Sequence, residues 1–194
     1  LFRSLIFPLS TIIALRFFGL FIVLPVLSVY ALELKGGTPF LAGIVVGGYA
    51  LTQALFQVPF GTMSDKFGRK KTLLIGTIIF IIGSIMCAVS DNIYMLMAGR
   101  FVQGTGAVGA VVSAMISDLV KEEQRAHAMA IMGGTIALSF AVAMIIAPLV
   151  GGNYGIDKLF WLTAILGVLS IFVLFKQVPN PPKIIHTYTQ KESK

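Results

Sequence analysis

The stretch Gly61-Thr62-Met63-Ser64-Asp65-Lys66-Phe67-Gly68-Arg69-Lys70-Lys71 is a short polar, basic island between two long apolar runs, and its reading decides the fold. A tight turn anchored by Lys66, Arg69, Lys70 and Lys71 is what a chain shows where it re-enters a bilayer from the cytoplasmic side, because Lys and Arg are retained there. The runs on either side extend the argument to the whole chain. Of 194 residues, 57% are hydrophobic and 12% charged, against about 25% charged in soluble domains. A water-soluble core of this size cannot hide so much apolar surface, whereas a bilayer accepts about 20 apolar residues per crossing.

A hydropathy window of about 19 residues, with Gly, Pro and charge as terminators, predicts six spans. They cover 5–32, 39–61, 73–90, 94–119, 128–152 and 159–178. Thr38-Pro39 reads as a cap and first helical position, Asp91-Asn92 as a turn, and Gly151-Gly152-Asn153 as the end of the fifth span. Residues 1–178 are therefore expected to form one all-α transmembrane bundle, with 179–194 as a cytoplasmic linker or tail.

Orientation follows from the cations. Arg3, Lys66, Arg69, Lys70, Lys71, Lys121, Arg125, Lys176, Lys183, Lys191 and Lys194 fall on one side, and only Lys35 and Lys158 on the other. That split predicts both termini in the cytoplasm. Tyr30, Tyr94, Tyr154 and Trp161 fall near the opposite ends, as interfacial aromatics do. The net charge of +7 thus has a membrane explanation and no nucleic acid is expected. Cys87 sits alone in an apolar run and reads as a small core residue.

Two cations remain, both inside spans. Arg16-Phe17 and Arg100-Phe101 lie 84 residues apart, and each opens a three-helix unit. Three spans per unit invert the second unit, so a 3+3 inverted repeat is expected, the layout of many secondary carriers. An unpaired charge at mid-span costs at least about 2.5–3.5 kcal/mol. Arg100 must therefore face a cavity, carbonyls or a partner, or else snorkel to the outer interface. Gln103 follows it by one turn, and Tyr49, Gln53 and Gln57 share a face of the second span. If these converge with Arg16, they form one polar seam; the glutamines serve interhelical hydrogen bonding or a substrate equally well.

The spacing of Gly61, Asp65, Gly68, Arg69 and Lys70 resembles the signature loop of the major facilitator superfamily of transporters, G-x-x-x-D-x-x-G-R-K-x. Gly99-Arg100-Phe101-Val102-Gln103-Gly104-Thr105-Gly106 resembles its fourth-helix motif R-x-x-Q-G-x-G. The segment from Ala143 through Ala147, Pro148, Gly151 and Gly152 resembles its antiporter motif, with two glycines replaced by alanine. With "LRFFGLFIVLPVL" and "YALTQALFQVPFG", the resemblance spans nearly all the chain and points to the N-terminal six-helix half of the YajR-like branch of drug:proton antiporters. It implies that Asp65, Arg69 and Asp118 meet in a cytoplasmic latch. It also implies that Arg100, with Gln103, Gly104 and Arg16, serves a cavity or proton coupling.

The function expected is secondary transport, proton-coupled efflux of small molecules or drugs by alternating access, in a bacterial inner membrane. A uniporter or symporter of a small polar solute is the alternative. An intramembrane enzyme lacks the residues it needs: His127 and His186 fall in a loop and a tail, and no metal or cofactor motif is read. No re-entrant segment suggests a channel. Expected partners are lipid, a small-molecule substrate, H+ and a second six-helix half. That half would come from the same longer chain or from a homodimer through helices 1, 2, 4 and 5, since a lone half exposes its polar seam to lipid.

Overall fold

A computed structural model describes residues 2–178 and, for side chains, residues 6–178. The helices are α1 (Phe2–Phe21), α2 (Leu24–Glu33), α3 (Pro39–Phe67), α4 (Arg69–Ala88), α5 (Ile93–Thr105), α6 (Gly109–Leu119), α7 (Glu122–Tyr154) and α8 (Ile156–Gln177). Pairs α1/α2 and α5/α6 are each one interrupted crossing, so the eight pieces make six spans, each long and apolar enough to cross a membrane. The tail expected over 179–194 lies outside the described residues.

The local chemistry explains where helices start and stop. The Thr38 hydroxyl accepts from the Leu41 amide at 3.2 Å and Pro39 follows it; Asn92 Oδ1 accepts from Met95 at 2.9 Å. Gly68 ends α3 and begins α4 in a single residue with φ of 100°, a conformation any side chain would strain.

Four boundary expectations are corrected. The second span runs on to Phe67, so most of the island is helical and the loop shrinks to Gly68, because nothing between Gly61 and Phe67 breaks a helix. The first span is interrupted at Ile22-Val23, where Pro25 enters α2 and cannot donate to the carbonyl of Phe21. The fourth span is interrupted between Thr105 and Gly109, where Gly106 leaves the helix. Gly151-Gly152-Asn153 does not end the fifth span; α7 continues through it and Pro148 to Tyr154, and Gly155, with φ of 86°, stops it.

The interruptions repeat. α1 ends at Phe21 and α5 at Thr105, 84 residues apart, the offset that also relates Arg16 to Arg100. Packing repeats as well: α1 lies against α7 and α8, and its counterpart α5 against α3 and α4. The bundle is therefore a 3+3 inverted repeat, with α4 and α8 packed on each other.

Two apolar clusters fill it. One joins Leu9, Ile13, Phe60, Leu73, Met115 and Leu174; the other joins Ile22, Val45, Cys87, Leu96, Ala147 and Phe160. Along α1, Arg16 falls between Ile13 of the first and Ile22 of the second. Along the fourth span, Arg100 follows Leu96 and precedes Ala107 in the same way, so both arginines occupy a layer between the two clusters. Glycine permits the close crossing there. A Cβ on Gly83 would lie 2.6 Å from Gln103 Cα, and one on Gly104 would collide with Thr52 Oγ1 and the Tyr49 carbonyl.

Candidate functional site

The layer between the clusters is polar and closed. Arg100 is 1% exposed, which removes snorkelling: its Nε donates to the Val45 carbonyl at 3.2 Å and its Nη1 to Gln103 Oε1 at 2.6 Å. Gln103 Nε2 donates to Ser84 Oγ at 2.8 Å, and Ser84 donates to the Phe80 carbonyl at 2.7 Å. Three spans are thus tied through one guanidinium. Ser84 is a member that sequence reasoning missed, since a serine in an apolar helix carries no signal beyond its small size.

Arg16 is 2% exposed and crosses between repeats: Nη2 donates to the Gly106 carbonyl, at the interruption of the fourth span. Interrupting a helix frees carbonyls, and a guanidinium satisfies one without a second buried charge. The plane of Arg16 lies over Phe80, 4.3 Å from the ring centroid, and Arg100 lies 5.0 Å from the centroid of Tyr49. Tyr49 stands between the two: its hydroxyl lies beside Arg16 and interacts with that guanidinium, although no atom pair there has strict hydrogen-bond geometry. Each desolvated guanidinium costs at least about 2.5–3.5 kcal/mol at mid-span, and carbonyls, rings and an amide offset that cost here.

The glutamines do not join the layer as expected. The Gln57 amide lies against Gly109 with Oε1 unpartnered, and Gln53, half-buried one turn after Tyr49, has no hydrogen bond to Arg16. Positions 53 and 57 keep the face of Tyr49 but lie one and two turns further along α3, about 6 and 12 Å of rise beyond it.

At the turn between α3 and α4 sits a cluster of charges. Arg69 Nε reaches Asp118 Oδ2 at 2.7 Å, and Arg69 Nη1 reaches Asp65 Oδ1 and Ser64 Oγ at 2.5 Å each. A cation in the first turn of α4 opposes the helix dipole, and the two carboxylates compensate for it. Arg69 and Asp118 side chains are 13% and 21% exposed and Asp65 56%, so the pair across helices is the sheltered one. Ser64 is a further partner the sequence did not reveal. Lys70 donates to the Val178 carbonyl at 2.8 Å, tying the start of α4 to the end of α8. Gly61 lies in α3, where an added Cβ would come 3.7 Å from that of Ala110, an ordinary contact.

The fifth-span motif divides. Ala143 and Ala147 are fully buried, Gly151 packs near Leu159 and Val26, and Pro148 and Gly152 face outward.

A family model described as Major Facilitator Superfamily matches residues 9–193. The chain belongs to the major facilitator superfamily. It is 43% identical over 178 residues to the inner membrane transport protein YajR of Escherichia coli (strain K12), covering 92% of this chain and 39% of that relative. It is 32% identical over 128 residues to the multidrug resistance protein MdtL of Escherichia coli O81 (strain ED1a), covering 63% and 33%. In structure it resembles the human organic anion transporter MFSD10 (TETRAN), with a TM-score of 0.80 at 18% identity over 93% of this chain and 49% of that one. The chain thus spans less than half the length of the curated relatives it matches. Relatives that match 86% to 92% of this chain are transporters by name.

Proposed function

We propose that this chain works as the N-terminal half of a proton-coupled carrier that expels small molecules or drugs by alternating access across a bacterial inner membrane. Both termini are cytoplasmic in this reading. The buried arginine layer carries it: a transporter bundle keeps two desolvated cations at mid-depth at a stability cost, which is sensible where charge or substrate must be handled. Of the relatives' names, inner membrane transport protein supports transport and multidrug resistance protein supports efflux of drugs. No Asp or Glu occupies the middle of a described span, so coupling draws on Glu33, Asp118, the field of Arg100 or a carboxylate of the second half. Arg69 with Asp65 and Asp118 acts as the cytoplasmic latch, holding one state of the rocking bundle.

The second half, from the same longer chain or a two-fold copy, seats on α3 and α7. These spans bury least of themselves, 22% and 17% against 39–56% for the others. Gly43, Gly47, Ala50 and Ala54 on α3, and Gly134, Ala137 and Ala141 on α7, expose small residues to the outside. Nothing lies within 4 Å of a Cβ added at Gly43, Gly47 or Gly134. Gly47→Leu and Gly134→Leu should therefore leave the melting temperature of the six-span chain unchanged while reducing the two-half species seen by native mass measurement of a membrane extract. Unchanged assembly in both variants sinks this seating.

Transport is tested in proteoliposomes with an imposed proton gradient. Wild-type protein should move a fluorescent drug against the gradient of that drug, and Arg100→Ala and Asp65→Ala should each lower the rate at least about tenfold, roughly 1.4 kcal/mol in the barrier. Wild-type rates in both variants remove the site assignment; transport indifferent to the proton gradient removes the coupling and leaves a uniporter.

A further inference from the structure

We propose that Arg16, Arg100 and Tyr49 form an anion-recognition site, so that the molecule carried bears a carboxylate on an apolar body. The inference deepens the carrier reading and rests on it.

Three observations converge. Both arginines are permanently charged, since a guanidinium does not lose its proton in proteins, and the described ion pairs place every paired carboxylate elsewhere, at Arg69 and Lys158. Each guanidinium also keeps a group without a hydrogen bond, Arg16 Nη1 and Arg100 Nη2, and the Tyr49 hydroxyl beside Arg16 has none of strict geometry either. Buried donors are almost always satisfied; the Tyr49 hydroxyl answers Arg16 only loosely and Arg100 Nη2 has no partner, so an acceptor of the right shape gains from all three groups. A carboxylate fits it, offering two oxygens with several lone pairs to N–H and O–H groups of fixed direction.

The surroundings specify the rest of the molecule. Tyr49 packs with Leu20 and Phe80, with Phe17 and Phe21 against them, so the walls beside the donors are aromatic and aliphatic. The Tyr49 ring covers Arg100 and is 5% exposed, which makes it the group that must turn for one anion to reach both guanidinium groups. Half-buried Thr52 and Gln53 follow on α3, a polar approach from the exposed side of that helix.

The test uses the full chain, extracted in the assembly it forms and placed in lipid nanodiscs, with benzoate as probe and benzamide as its uncharged isostere. Benzoate should raise the unfolding temperature and benzamide should not. Tyr49→Phe, which keeps the ring and loses only the hydroxyl, and Arg16→Gln should each weaken benzoate binding about tenfold or more, and Arg100→Lys should weaken it less than Arg100→Gln. Equal responses to benzoate and benzamide overturn the proposal, as does benzoate binding retained in both Arg16→Gln and Tyr49→Phe. Where Arg16→Gln fails to fold, Tyr49→Phe decides alone. Proteoliposomes separate the two readings: transport of a lipophilic cation, unaffected by benzoate, overturns the anion site and leaves a carrier. Benzoate binding without transport of any solute overturns the carrier and leaves the site.

Discussion

Gly104→Leu should abolish recovery of folded protein from membranes, and Gly83→Ala should lower its melting temperature by more than any surface substitution. Both glycines lie where helix backbones touch. A Cβ at position 104 collides with Thr52 Oγ1 and the Tyr49 carbonyl, and one at 83 falls 2.6 Å from Gln103 Cα. Overpacking usually costs about 1–3 kcal/mol because side chains can rotate aside. Here the obstacle is backbone, so α5 must withdraw from α3 or α4, and the Arg100–Gln103–Ser84 chain of hydrogen bonds is broken with it. The two penalties add in one place. Gly133→Ala, where nothing lies within 4 Å of the added carbon, should change the stability of the six-span chain by no more than about 0.5 kcal/mol. Thermal denaturation in detergent, followed by monodispersity, reads all three. A Gly83→Ala protein as stable as wild type would show that the α4 and α5 backbones are not in contact.

The second large effect concerns Arg69 and Asp118. Removing one partner of a sheltered pair strands the other charge, which costs more than the pair contributes. Arg69→Ala and Asp118→Ala should each slow transport at least about tenfold, and the double variant should be no worse than Arg69→Ala. The resulting coupling energy is expected at about 1–3 kcal/mol. Asp65, 56% exposed, is screened by solvent, and Asp65→Asn should change stability by less than about 1 kcal/mol. Transport losses that simply add in the double variant would show that the two residues act separately and that no latch exists.

Much of this was legible before any coordinates. Hydropathy is a sum over neighbours in sequence, so the number of spans and the stranded charges Arg16 and Arg100 could be read directly. The offset of 84 and an odd number of spans per unit implied inversion. The motif spacing brought Asp65, Arg69 and Asp118 together by resemblance, and the structure places them in contact. Breaks inside spans were less visible. Pro25 was in the sequence as a signal against a continuous first span, but at Gly106 the same weakness looked like ordinary small-residue packing.

By itself, then, the sequence determined that the chain lies in a membrane, crosses it six times and keeps two arginines at depth, because the cost of taking each residue from water to hydrocarbon depends only on that residue and its neighbours. Only the tertiary structure decided that Arg16 reaches the interrupted fourth span, that Ser84 and Ser64 complete the two clusters, and that the Arg16 layer meets α3 at Tyr49 and not at Gln53 or Gln57. Those outcomes depend on how each helix is rotated and how closely pairs of helices approach. Rotation and approach are set jointly by glycines and side chains far apart in the chain.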